Sequence, residues 1–136
     1  MHMKQKISVT IALTIILLCI CSCRKNEISI DNDESFYSDF KIEDDKVYIH
    51  CSVLIKNPGN DNAKISLSGV FENDKKSGLL KEELLNGYSD DCETTEFNLK
   101  RGDNRIEVVF IGDYAGTNQK YDRLLPKIII KELHQS

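Results

Sequence analysis

The stretch VYIHCSVLI, residues 47–55, alternates apolar side chains with mostly polar or smaller ones at a period of two. Successive side chains of a β-strand point to opposite faces, whereas a helix repeats every 3.6 residues. The alternation therefore predicts a strand with one buried face, and it points to a β-rich fold for the chain around it. The inward positions of this strand are Val47, Ile49, Cys51, Val53 and Ile55.

Turn-forming residues follow directly after this strand. Residues 57–62 read NPGNDN, and proline, glycine and asparagine each favour turn geometries. Alternation resumes over residues 63–71, where Ile65, Leu67 and Gly69 share one side. Residues 46–71 are thus interpreted as either a hairpin or a corner of a sandwich.

The middle of the chain, residues 72–93, has the weakest pattern. Residues 78–88, GLLKEELLNGY, fit a short helix or two consecutive turns, and the sequence leaves both alternatives open. Strand signals return at residues 94–99. A polar, glycine-containing loop at 100–104 is typical of a hairpin and leads into residues 105–111, with Ile106, Val108 and Phe110 inward.

Short alternating segments separated by turns predict an all-β fold, an antiparallel β-sandwich of about six to seven strands over residues 36–136. The last strand is expected within KIIIKEL, residues 127–133. The segment from Phe97 to Phe110 reads FxLxxGxNxIxVxF. It resembles two late strands of small immunoglobulin-like modules found in bacterial surface proteins and lipoproteins, and the resemblance implies that the sandwich is immunoglobulin-like.

The N-terminus has the layout of a secretory signal. Lys4 and Lys6 precede an apolar run over residues 7–20, and a small residue, Ser22, stands before Cys23. Residues 20–23, Ile-Cys-Ser-Cys, resemble the lipobox of bacterial lipoproteins. The resemblance implies cleavage between Ser22 and Cys23, with one lipid group that carries two fatty acyl chains attached to the Cys23 sulfur. Cys19 and Cys21 follow large residues and fit the cut site less well.

The resulting domain plan is a signal peptide at 1–22, a lipidated flexible tether at 23–35 and the β-sandwich at 36–136. The expected location is the extracytoplasmic face of the cell membrane, or of an outer membrane if the organism has one. The alternative is an uncleaved helix over residues 7–23. Arg24 and Lys25 behind it would then leave the domain in the cytosol.

The charge balance disfavours nucleic acid as a partner. Without Lys4 and Lys6, the 18 basic residues fall to 16 against 22 acidic ones, a net charge of −6. An acidic chain repels phosphates, so membrane attachment is expected through the lipid. Residues 31–34, DNDE, do not begin a calcium loop, because Phe36 and Ile42 occupy its sixth and twelfth positions.

The residues for catalysis or metal binding are scarce. His50 and His134 are the histidines behind the anchor, and the sequence contains no HExxH, CxxC or phosphate-binding loop. We therefore expect no enzymatic activity, no metal and no cofactor other than the lipid on Cys23. Cys51 and Cys92 can form a disulfide outside the cytoplasm, or both can remain reduced thiols.

The long connection over residues 112–126 is the candidate binding loop. Long loops in compact domains often carry function, and tyrosine with amide side chains can bind a sugar or a peptide. The alternative is a crossover between sheets, with Tyr, Leu124 and Leu125 closing the end of the core. The candidate binding residues are Tyr114, Asn118, Gln119, Tyr121 and Arg123.

These features favour a membrane-anchored, non-enzymatic binding or envelope-assembly module, with an envelope protein or glycan as its partner. The second hypothesis is an accessory subunit or immunity-type lipoprotein of a transporter or toxin system. An enzyme acting on the cell wall is the third and least favoured.

Overall fold

The protein folds as antiparallel strands joined by short connections. The structure, a computed structural model, describes residues 27–59, 61–120 and 122–134. The predicted signal peptide, Ser22 and Cys23 lie outside the described residues. The elements are β1 (Ser29–Glu43), β2 (Lys46–Asn57), β3 (Ala63–Val70), α1 (Glu72–Lys76), β4 (Leu84–Ser89), β5 (Glu96–Leu99), β6 (Gly102–Asp113) and β7 (Lys127–Leu133).

The strands follow the order β1-β2-β6-β4-β3-β7, and β5 pairs with β3 beside β4. Strand β4 joins two halves of this open sheet. Residues 84–86 pair with β3, and residues 87–89 pair with β6. The two halves enclose one core, so the fold is all-β and sandwich-like, as predicted. Among the described strands, β1, β5 and β7 each pair with a single strand and so have an outer edge.

The core confirms the alternation predicted for residues 47–55. All five inward positions of β2 are fully buried. Val108 and Phe110 of β6 join them, and Ile65 and Leu67 of β3 pack from the opposite half. Each such side chain contributes about 1.5–3 kcal/mol by leaving water, so these strands dominate the stability of the fold.

Gly87 stands where β4 changes its partner from β3 to β6. A Cβ atom at this position would lie 2.7 Å from Val108 Cγ2 and 3.1 Å from the carbonyl oxygen of Leu67. The backbone of β4 therefore passes closely between the two halves, which only a residue without a side chain permits.

Two of the predicted connections differ from a hairpin. Strand β2 pairs with β1 and β6, and β3 pairs with β4, β5 and β7, so residues 57–63 form the sandwich corner. The expected hairpin at 100–104 is wrong. Strand β5 pairs with β3, whereas β6 pairs with β2 and β4. The Asn104 side chain accepts a hydrogen bond from the Lys100 amide and donates one to the Lys100 carbonyl. These bonds order the connection that links the two halves.

The irregular middle segment contains a short helix, but earlier than expected. Helix α1 covers Glu72–Lys76, and it ends where the carbonyl of Asp74 accepts the amides of Leu79 and Leu80. The helix alternative for residues 78–88 is wrong, because β4 starts at Leu84 and pairs with β3 and β6. Backbone pairing outweighs the leucine spacing there.

The sheet also begins earlier than expected. Strand β1 starts at Ser29, so residues 29–35 of the predicted tether are a strand that pairs in part with β2. A local irregularity explains why the side chains of residues 29–35 do not alternate regularly between apolar and polar. Asp31 pairs with Leu54 and Phe36 with Ser52, so five steps along β1 match two steps along β2. This bulge breaks the alternation that would have marked a strand.

Candidate functional site

Arg123, one of the predicted binding residues, is a structural clamp. Its side chain is 10% exposed, and its Nε lies 3.5 Å from Oδ1 of the equally buried Asp74 in α1. Its Cζ lies 4.0 Å from the centroid of the Phe40 ring in β1. One guanidinium thus joins the sheet edge, the short helix and the connection between β6 and β7.

The other predicted loop residues do not gather into one polar site. The Tyr114 amide donates to the Asp45 carbonyl, 2.9 Å away, and its half-buried side chain packs against the core. Asn118 and Gln119 are exposed, and Asn118 Oδ1 and the Gln119 carbonyl each lie 3.3 Å from Arg123 Nη2. Tyr121 lies outside the described residues.

The connection from Asp113 to Lys127 is a crossover between the two halves, which is the alternative that the sequence left open. Its start follows β6 and its end pairs with β3 through β7. Leu125 packs against the core, whereas Leu124 is 80% exposed. The crossover therefore closes the core with Tyr114 and Leu125 and leaves Leu124 facing solvent.

The bulge in β1 presents an aromatic side chain that sequence reasoning missed. Phe36 is 54% exposed, although it lies in the middle of a strand. Beside it, the Ser35 hydroxyl donates to the Asp31 carbonyl at 2.6 Å and accepts the Leu54 amide at 2.9 Å. The Ser35 hydroxyl oxygen takes the place of the backbone acceptor that the Leu54 amide would otherwise have in the β1–β2 ladder, so the bulge is a stable feature. Bulges often re-aim side chains next to functional sites.

Arg105 of β6 supports Phe36 from across the intervening strand β2. Its Cζ lies 5.9 Å from the Phe36 ring centroid, and its Nη2 donates to the Glu34 carbonyl at 2.9 Å. Its Nη1 donates to the Ser52 hydroxyl at 2.8 Å, which in turn donates to Glu107 at 3.0 Å. The exposed ring therefore sits on an ordered support, which lowers the entropy lost when a partner covers it.

Phe36 opens onto a groove between β1 and the last part of the crossover. The groove has a volume of about 690 Å³ and is open to solvent. One wall is the outer edge of β1, where backbone groups are available for pairing, and the other is formed by crossover residues 123–126 and Lys127, the first residue of β7. We call it the edge groove; its lining residues are Asn32, Ser35, Phe36, Tyr37, Arg123, Leu124, Leu125, Pro126 and Lys127.

Cys51 and Cys92 are free thiols rather than a disulfide. Cys51 is fully buried on the inward face of β2, and burial raises its pKa to about 12. Cys92 is exposed in the connection between β4 and β5. Cys51 is thus held as a neutral, apolar side chain of the core, the second alternative considered for this pair.

The two histidines and the acidic turns of the described residues lie apart from the edge groove. Asp44 and Asp45 form the β1–β2 turn with positive φ values of 52° and 61°. A hydrogen bond from the Ser89 hydroxyl lowers the pKa of exposed Asp91. His50 is half-buried and His134 is exposed. Within the described residues, no three His, Cys, Asp or Glu side chains cluster as metal ligands would.

Comparisons with known proteins add no family to this description. Searches against protein-family models, curated proteins and solved structures return no match for the chain. Across the described part of the chain, no helix has the length and apolar character needed to cross a membrane.

Proposed function

We propose that this chain is an extracytoplasmic lipoprotein, anchored through lipid on Cys23, whose domain binds an extended segment of another envelope protein in the edge groove. The relation to immunoglobulin-like modules, carried by the segment from Phe97 to Phe110, is part of this proposal. The observation that carries the binding function is Phe36, an exposed aromatic ring held in place by a built bulge and by Arg105.

An extended polypeptide suits the edge groove for two reasons. The outer edge of β1 presents backbone donors and acceptors that a further strand can pair with. The apolar side chains of Phe36, Leu124 and Pro126 flank that edge and can receive alternate side chains of such a strand. Aromatic side chains at the centre of an interface often carry most of the binding energy.

Site-specific photo-crosslinking tests the binding site. A photoreactive phenylalanine analogue at position 36 should crosslink a partner in intact membranes, whereas the same analogue at position 84 should not. Leu84 is the matched control, because it is 55% exposed but lies in β4, outside the lining of the edge groove. Leu124→Ser should abolish the crosslink at 36 without unfolding the domain. Equal crosslinking at both positions would refute the edge groove as the site.

Metabolic labelling with a fatty acid tests the anchor separately. Cys23→Ala should abolish labelling and leave the signal peptide attached, because the acylated sulfur is lost. Cys21→Ala is the matched control and should still be labelled. Labelling that survives Cys23→Ala but not Cys21→Ala would show that the anchor is at the other cysteine.

A further inference from the structure

One end of the sandwich collects the start of β1 and several connections. Ser29 pairs with Lys56, and the adjacent Asn57 pairs with Gly102. The connections from β2 to β3 and from β5 to β6 therefore lie beside the start of β1, and the end of β7 joins them through the pairing of Lys64 with Leu133. We call this surface the Ser29 end.

Hydrogen bonds join the connections at the Ser29 end into one continuous surface. Arg101 Nε donates to the Gly59 carbonyl at 2.9 Å, and its amide donates to Asp61 Oδ1 at 3.2 Å. The Asn57 side-chain amide donates to the Lys100 carbonyl at 3.1 Å. The β2–β3 and β5–β6 connections are thus joined by three hydrogen bonds.

The proposed anchor is close to this end by covalent geometry alone. Cys23 and Ser29 are separated by six residue steps, which can span at most about 20 Å. Strand β6 starts at the Ser29 end and, with 12 residues, extends for about 36 Å before it reaches Asp113. The opposite end, which carries Tyr114 and the β1–β2 turn, therefore lies well beyond the reach of the tether.

The charge distribution favours a domain that stands upright on the membrane over one that lies on its side. The Ser29 end carries a net charge of −1, whereas the β1 flank above it carries −3, with four acidic residues, Asp33, Glu34, Asp39 and Glu43, against Lys41. An anionic membrane surface repels that flank more strongly than the Ser29 end. The charged side chains at the Ser29 end are Lys56, Lys64, Lys100 and Arg101, and Glu27, Asp31, Asp61, Asp103 and Glu132.

We infer that the domain stands on phospholipid head groups with its Ser29 end, so that the edge groove stays open to the side and the Tyr114 end points away from the membrane. The inference depends on the anchor at Cys23 proposed above. Since a domain lying on the β1 flank would cover Phe36, the upright orientation also keeps the proposed binding site accessible.

Fluorescence quenching by spin-labelled head groups tests this orientation. Lipidated protein carrying Cys92→Ser is reconstituted in vesicles of phosphatidylethanolamine and phosphatidylglycerol. Single cysteines are then placed at Lys100→Cys on the Ser29 end, Lys81→Cys near Asp113 on the opposite end, and Lys127→Cys at the start of β7, at the other end of that strand from Leu133. All three positions are exposed, and buried Cys51 does not compete for the fluorophore.

The expected result is loss of fluorescence at position 100 with unchanged fluorescence at 81 and 127. Quenching at 81 or 127 that equals or exceeds quenching at 100 would overturn the orientation while leaving the anchor intact. Flotation of each labelled protein with the vesicles is measured first. Protein that fails to float and carries no fatty acid would refute the anchor, and the orientation would fall with it.

Discussion

The guanidinium of Arg123 stacks on the ring of Phe40, with its Cζ 4.0 Å from the ring centroid. The two residues come from the β6–β7 crossover and from the edge strand β1. Because Asp74 of α1 holds the same guanidinium from another direction, this contact ties together three segments that share no backbone ladder with one another.

Arg123→Met should lower the free energy of unfolding by about 3 kcal/mol, since removing one partner of a buried ion pair leaves Asp74 uncompensated. Urea denaturation measures the change. Lys120→Met, at an exposed position in the same crossover, is the control and should be nearly silent. Equal effects of the two substitutions would contradict the clamp.

The hydroxyl of Ser35 should be needed for the bulge in β1. Ser35→Ala leaves the Leu54 amide without its acceptor and should cost about 1–2 kcal/mol. Hydrogen exchange at Leu54 should accelerate by more than at other amides of β2. Ser38→Ala, at an exposed position of the same strand, should change neither quantity. Unchanged protection of Leu54 in Ser35→Ala would show that water replaces the hydroxyl at no cost.

The sequence predicts the core strands well because their period is set by local geometry. The alternation of β2 is visible in nine residues, and every inward position proved buried. The pairing partners were harder to predict, because Gly102 in a polar loop fits a hairpin as well as it fits a link between halves.

The candidate site was predicted less well, since its geometry depends on contacts between distant segments. Arg123 resembles a binding residue until Asp74 and Phe40 are seen to enclose it. Phe36 resembles an ordinary strand residue, and its exposure results from a bulge that only the Ser35–Leu54 contact reveals. The acidic residues before Phe36 further obscured the strand, because they suggested a solvated tether.

The thiols of Cys51 and Cys92 should differ sharply in reactivity. Burial holds the pKa of Cys51 at about 12, so this thiol stays protonated at pH 8 and is inaccessible to reagents. In the lipoprotein proposed above, which begins at an acylated Cys23, the native protein should release one equivalent of thionitrobenzoate from Ellman's reagent at pH 8, from Cys92 alone. Unfolding in urea should release a second. No reaction before and after unfolding would show a disulfide between Cys51 and Cys92.

Tyr114 and Phe36 should respond in opposite ways to truncation, which separates closure of the core from binding. Tyr114→Ala removes a half-buried ring that packs on the core, and it should lower the free energy of unfolding by about 2 kcal/mol while the crosslink at position 36 persists. Phe36→Ser removes a ring that is 54% exposed, so it should change stability by less than about 0.5 kcal/mol. The same substitution should weaken partner binding by about 2 kcal/mol if the ring is the central contact. Urea denaturation and binding are measured on both variants. Loss of binding in Tyr114→Ala with full stability would show that the partner binds the crossover instead of the edge groove. Loss of stability in Phe36→Ser would show that the Phe36 ring stabilises the fold.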